Sequence, residues 1–267
     1  MKATQRLLRG WTTATMVFLY LPIAILVAYS FNTSRLNIVW EGFTFDWYRA
    51  LWRDAVLVRS LQNSLYVATV TTVLSVVLGT AGAWLLHRYD FRGARLWRTL
   101  FYVPMLVPEV ILGVSLLILF VAIHLELGFS SVIISHVTFC FPFVLVAVQV
   151  RLAGLDPSLE EAAMDLGATP SAAFRQVIVP YLMPAIVAGA LMTFSLSLDE
   201  LIVTYFTASA GSRTLPLEIF GRVKKGLDPS LNAVSTVFIL LTALLAVSTH
   251  LIRRRSRSMI GGRKETR

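Results

Sequence analysis

Six long apolar runs alternate with short polar connections along the chain, at 11–31, 61–86, 100–123, 132–150, 181–206 and 233–252. None of them contains Lys or Arg. A helix needs about 20 apolar residues to cross the hydrocarbon core of a bilayer, so each run predicts one transmembrane helix. The first run follows Lys2, Arg6 and Arg9, as the core of a signal peptide does. It is long, lacks a small-x-small cleavage site and precedes further spans, so it predicts an uncleaved first helix. Pro22, Pro104, Pro108, Pro142 and Pro184 fall within runs, where membrane helices tolerate them better than soluble ones. The pattern predicts an all-α polytopic membrane protein with about six transmembrane helices.

Composition narrows the function classes. Of 267 residues, 56% are apolar and 15% charged, against roughly 25% charged in a soluble domain. A soluble fold of this size could not hide that apolar surface, and disorder or a fibrous repeat is excluded as well. The single cysteine, Cys140, excludes an internal disulfide and a cysteine-rich metal site. His87, His124, His136 and His250 are scattered without ligand spacing. The net charge is +9, but its placement matters more than its size. Sixteen of the 24 Lys and Arg fall at the N-terminus, at 88–98, at 151–175 and in the tail from Arg253; eight fall in the alternate connections. The richer side is the cytoplasm, which predicts cytoplasmic termini. The Arg253-Arg254-Arg255-Ser256-Arg257 tail then reads as a topological anchor and not as a nucleic-acid contact.

The connection at 151–180 carries the most organised polar sequence. Asp156-Pro157 reads as an N-cap followed by proline at the first helical position. Gly167 suits the left-handed turn that ends a helix. Thr169-Pro170 repeats the start signal, and Pro180 reads as the end of the second piece. Two short helices joined sharply at Gly167 are predicted, lying along the membrane surface. Small residues (Ala162, Ala163, Gly167, Ala168) would let another protein approach closely. A rigid segment would also pass a push into the spans on either side. The alternative, a helix merely lying on lipid headgroups, fits poorly with its weak apolar stripe and four acids.

Glu161-Ala162-Ala163, then Gly167, then Val177-Ile178-Val179-Pro180 resembles the EAA loop of ABC importer permeases, with Val177 and Val179 where the family has Ile and Leu. Further segments are similar to the C-type subunit family of spermidine/putrescine permeases: Tyr29-Ser30-Phe31-Asn32, Trp47-Tyr48, 87–93, 135–140 and 194–200. In that family the second acid of Asp199-Glu200 is usually Asp. The resemblance implies a type I ABC importer permease fold, with one permease domain over 1–267. It implies that Glu161, Ala162, Ala163, Asp165, Gly167 and Pro180 couple to a separate ATPase subunit present in two copies. A second homologous permease subunit, forming a heterodimer, and a periplasmic substrate-binding protein are also implied. So is residence in the bacterial inner membrane. The chain contains no G-x-x-x-x-G-K-[ST] phosphate loop, so ATP and magnesium are expected on the partner ATPase. No cofactor, metal or enzymatic activity is expected in this chain.

The residues also indicate what is carried. Glu109, Asp199 and Glu200 lie within predicted spans, each costing about 2.5–3.5 kcal/mol near the centre of a membrane helix. No span offers a Lys or Arg to pair with them. The missing positive charge favours a cationic cargo, such as a polyamine. Counting along straight helices at 1.5 Å per residue puts Glu109 about 14 Å and Asp199 about 27 Å from the cytoplasmic ends. That stagger would suit an elongated polyamine. Ser195 lies one turn before Asp199 on the same face. Trp47 and Tyr48 offer ring faces to a cation, although aromatic residues just outside a span are also the ordinary interfacial belt. Adjacent helical positions point about 100° apart, so Asp199 and Glu200 would not both face a narrow pore. One alternative is another small cation or an amino-acid-like solute. A second is a proton-coupled secondary transporter using the acids as a relay, for which no inverted repeat is seen. A third is a structural subunit whose partner lines the pore.

Overall fold

The computed structural model describes residues 2–34, 39–156, 158–225, 230–244 and 247. Pro157, the end of the sixth apolar run and the Arg253 tail lie outside them. The helices, in chain order, are α1 (Lys2–Tyr29), α2 (Asp46–Arg53), α3 (Ala55–Arg88), α4 (Ala94–Leu106), α5 (Glu109–Ala122) and α6 (Phe129–Leu152). They continue with α7 (Ser158–Asp165), α8 (Pro170–Ala173), α9 (Val179–Asp199), α10 (Ile202–Thr207), α11 (Leu215–Lys225) and α12 (Ser230–Leu244). Among the described residues the only strand-like pairing is one bridge between Asn32 and Phe43.

Four helical stretches are long and apolar enough to cross a membrane: Thr4–Tyr29, Ala55–Arg88, Phe129–Leu152 and Pro170–Asp199. The third predicted span differs from expectation. It is not one rod but α4 and α5, bent by 111° at Val107-Pro108. Proline has no amide to donate to the carbonyl four residues back, and it drives its predecessor out of the helical region. Val107 accordingly sits at φ −78°, ψ 128°.

The fifth predicted span, 181–206, also differs. Its helix starts earlier, at Pro170, and ends at Asp199. Pro180 therefore does not terminate a surface helix; it sits inside a continuous one. The π-turn Phe174–Ile178 just before it explains how. Pro180 cannot donate to the Gln176 carbonyl, and widening the preceding turn relieves the ring clash a proline makes in a tight helix. After Asp199, Glu200 is extended at φ −69°, ψ 115° and α10 begins afresh.

The described chain forms two compact units. The first is built from Met1–Arg59 with Glu218–Thr242 and the second chiefly from Ser60–Leu217. In the first, Asn32 organises the connection after α1. Its side chain donates to the Val39 carbonyl at 2.8 Å and accepts from the Ser34 and Glu41 amides. Phe31 beside it packs its ring against those of Phe43, Phe45 and Tyr48. Asp54 caps the start of α3 through the Val56 and Leu57 amides, both 3.1 Å. Arg222 of α11 grips the same carboxylate with two bonds, 2.7 and 3.1 Å, and turns its Nε to Glu218.

In the second unit α6 is the centre. α9 crosses it through Gly189, where an added Cβ would lie 3.3 Å from the Val144 backbone, and α3 meets it at Gly79. Ala83, Val144, Leu145, Val148, Leu152, Ile178 and Leu182 form one core. Leu112, Leu116, Phe120, Phe139, Cys140 and Val203 form another around α5, α6 and α10. Lipid tails are as apolar as leucine, so contact between close-packed backbones, rather than expulsion from water, holds such helices together. The irregular backbone after α10 is satisfied from within: Ser131 donates to the Thr207 carbonyl at 2.7 Å, and Asn63 to those of Gly211 and Arg213. The Leu215 amide donates to Ser64. Irregular backbone taken out of water requires such internal partners.

Candidate functional site: an acidic cleft at a broken helix

The breaks at Pro108 and Glu200 meet. Glu109, the first residue of α5, and Ser195, Asp199 and Glu200, at the end of α9, line one cleft of about 340 Å³ with Phe139, Leu196, Leu201 and Ile202. Four of the six residues expected along the cargo pathway are thus brought together. The depth counted for Glu109 along a straight helix does not hold, because α4 and α5 meet at 111° just before it. The helix that carries Asp199 is continuous to that residue, and both acids line the one cleft.

The two adjacent acids play different parts. Asp199 ends α9 and is exposed, whereas Glu200 is buried. Glu200 has left the helix, and one of its carboxylate oxygens accepts the Val203 amide at 2.8 Å. It therefore supplies one of the backbone amides at the start of α10 with a partner. Among the described residues no Lys, Arg or His lies within ion-pair distance of Glu109, Asp199 or Glu200.

Trp47 and Tyr48 belong to the first unit, and their polar atoms are used there. The Trp47 indole donates to the Asn32 carbonyl at 2.7 Å, and the Tyr48 hydroxyl bonds Ser30 at 2.6 Å.

Sequence reasoning missed one buried residue beside the cleft. His136 of α6 is fully buried, with Nδ1 2.8 Å from the Ser197 hydroxyl and Nε2 2.8 Å from that of Thr204. The signal was present: a histidine in the middle of an apolar run needs partners, and hydroxyls on the neighbouring span are the natural ones.

The loop at 151–180 is also built. The Asp156 carboxylate accepts the Ser158 amide at 3.0 Å, which holds its carboxyl below the usual range. Glu161, Ala162, Ala163 and Asp165 lie on α7, and Gly167 turns at φ +88°. Thr169 then caps α8 through the Ala172 amide. Glu161, Ala162, Asp165 and Gly167 are exposed, and Leu166 is 91% exposed at the turn. The base of the loop is stapled. Arg151 donates to the Tyr181 carbonyl at 3.1 Å and lies 4.1 Å over its ring, and the Tyr181 hydroxyl donates back to the Arg151 carbonyl. Arg88, at the end of α3, reaches Glu160 at 3.3 Å.

Comparison with known proteins agrees with these features. Residues 75–258 match the model of the binding-protein-dependent transport system inner membrane component family. The chain is 40% identical over 250 residues to the spermidine/putrescine transport system permease protein PotC of Escherichia coli, covering 93% of this chain and 95% of PotC. It is 41% identical over 240 residues to the putrescine transport system permease protein PotI of the same organism, covering 87% of this chain and 84% of PotI. Among solved structures it is similar to a chain of a bacterial alginate ABC transporter in complex with an alginate pentasaccharide-bound periplasmic protein. There the TM-score is 0.72 at 15% identity, covering 95% of this chain and 94% of the other. A helical fold with apolar helices long enough to cross a membrane and an extended match to a transport family agree: this chain belongs to the family of inner membrane components of binding-protein-dependent transport systems.

Proposed function

We propose that the chain is the translocating subunit of an ATP-driven importer for polyamines, spermidine and putrescine being the candidates. The observation that carries this reading is the convergence of Glu109, Asp199 and Glu200 on one cleft with no cation beside them among the described residues. In a low-dielectric cleft three carboxylates are costly alone and favourable to a cation that carries its own charges. A linear di- or triammonium chain supplies two or three charges on a flexible apolar stem. Asp199, exposed, and Glu109, half-buried, are the direct ligands in this reading; Ser195 adds a hydroxyl, and Glu200 also shapes α10. The names of the relatives support the same cargo class.

The exposed α7–Gly167 turn is the surface for the ATPase. Glu161, Ala162, Ala163, Asp165 and Gly167 dock into it, and Pro180 with its π-turn joins that element to α9. Two ATPase copies hold ATP and magnesium. A periplasmic binding protein delivers cargo, a second homologous permease completes the pathway as a heterodimer, and both termini face the cytoplasm. Closure of the ATPases on ATP displaces α7. The Arg151–Tyr181 staple passes that motion into α6 and α9, opening the cleft outward; hydrolysis resets it.

The decisive experiment is uptake of labelled spermidine, putrescine and 4-aminobutyrate into vesicles holding the complete complex. The triple variant Glu109→Gln, Asp199→Asn, Glu200→Gln is compared with wild type. Polyamine uptake should be lost from the variant. Undiminished uptake would remove the cargo role of the acids, and preferential uptake of 4-aminobutyrate by wild type would replace the cargo class.

A further inference from the structure

We propose that His136 is a positioning residue of the acidic cleft: held as the Nε2–H tautomer, it fastens α9 to α10 across their break and so fixes where Asp199 and Glu200 point. This rests on the reading of the cleft as the cargo pathway.

The hydrogen-bond directions follow by elimination. The buried Ser197 hydroxyl has no acceptor among the described residues other than Nδ1 of His136, 2.8 Å away, so it donates there. A neutral imidazole has one N–H, which puts the ring proton on Nε2, donating to the Thr204 hydroxyl at 2.8 Å. That leaves the Thr204 proton for the Glu200 carbonyl at 3.0 Å. The result is a one-way chain from Ser197 O–H to Nδ1, from Nε2–H to Thr204, and from Thr204 O–H to the Glu200 carbonyl. Every proton is placed and no polar atom of the chain is idle.

The location gives this chain its effect. Ser197 is on α9, two residues before Asp199; Thr204 is on α10, on the far side of the break. Neither proline nor glycine marks that break, and the local bond that spans it is the Val203 amide on the Glu200 carboxylate. The side-chain chain crosses it and ends on the carbonyl of Glu200, whose carboxylate lines the cleft. One turn along α6 from His136, Phe139 lines the same cleft. His136 is wholly buried, with both ring nitrogens occupied. It acts through the acids and does not touch cargo.

The test uses the complete complex in nanodiscs and in vesicles. Nitrogen-15 NMR of histidine-labelled wild type, with His136→Gln to assign the signal, should show His136 protonated at Nε2 and unprotonated at Nδ1. Thr204→Val is nearly isosteric but removes both an acceptor and a donor. It should raise the half-saturation concentration for spermidine about tenfold, with a smaller change in maximal rate. Thr204→Ser, which keeps the hydroxyl, should restore the wild-type value. The proposal is overturned by an Nδ1–H tautomer, by wild-type half-saturation in Thr204→Val, or by equal impairment of the Ser and Val variants. If Thr204→Val does not copurify with its ATPase, the tautomer decides. If wild-type vesicles take up no polyamine, the cargo reading fails by itself, and the tautomer still decides the role of His136.

Discussion

Gly167 turns at φ +88° with no atom within 4 Å of where a Cβ would stand. A side chain there meets no neighbour, so any penalty is conformational. A β-branched residue resists the left-handed region, at a cost of about 1–2 kcal/mol, whereas Asn visits it readily. Gly167→Val should therefore reorient α7 and lower ATP-driven uptake strongly while leaving membrane insertion intact; Gly167→Asn should transport close to wild type. Equal uptake by the two variants would remove the turn from the coupling path. A second residue-scale prediction concerns Asp54. The Arg222 guanidinium beside it holds its carboxyl below the usual carboxylate range, and Asp54 in turn raises the guanidinium. Because the folded value lies below the unfolded one, near 3.9, the stabilisation is complete above that value and is lost as pH falls through the lowered one. The tie between α3 and α11 should thus be unaffected from pH 8 to 5 and should open only in stronger acid. Asp54→Asn keeps the cap on α3 but gives up the charged pair, costing about 2 kcal/mol. Faster hydrogen exchange in α11 at neutral pH checks it.

At the scale of elements, the helices meet where they can come close. A Cβ at Gly79 would lie 2.7 Å from the Val144 Cβ and 2.9 Å from both the Leu145 nitrogen and the Phe141 oxygen. Two of those atoms are backbone, and backbone cannot step aside. Gly79→Ala should cost about 1–3 kcal/mol by forcing α3 off α6. Gly221→Ala, which meets nothing within 4 Å, should be neutral or slightly stabilising. Thermal unfolding of the purified complex separates the two, and equal midpoints would contradict the close approach. The apolar runs, the capped loop and the turn at Gly167 were legible in the sequence, because hydropathy and backbone chemistry are local. The bend at Pro108 was legible only as a proline; whether a membrane helix kinks or breaks there depends on neighbours that satisfy the freed backbone. The break after Asp199 carried no proline or glycine at all. It is set by a local bond, the Val203 amide on the Glu200 carboxylate, together with tertiary ones, the hydroxyls on His136, which no pattern along one segment reveals. For the same reason the acids were legible as a set but not as a cleft, and counting along a straight third span missed the bend before Glu109.

At the scale of the whole molecule, orientation decides whether the parts can work together. The α7–Gly167 turn serves an ATPase only if it faces the cytoplasm, and the alternation of apolar runs along the sequence then predicts the connection at 32–60 on the other side of the membrane. This orientation rests on electrostatics: Lys and Arg are twice as numerous on one set of connections as on the other, and the richer side is the cytoplasmic one. The prediction can be read with single cysteines, because the native Cys140 is buried and leaves little background. Asp46, whose side chain is 76% exposed, and Asp165, exposed on α7, sit on opposite faces in this reading. Asp46→Cys should react with a membrane-impermeant maleimide in spheroplasts, and Asp165→Cys only after permeabilisation. In the assembled complex Asp165→Cys should also be shielded by the ATPase, so stripping that subunit from inverted vesicles should increase its labelling. The reverse pattern would put the turn outside, beyond the reach of any ATP-binding partner, and motion at α7 could then not be powered from the cytoplasm. The same reversal would deliver cargo to the basic face of the molecule, where Arg88, Arg92, Arg95 and Arg98 would repel a polycation before it reached the acids.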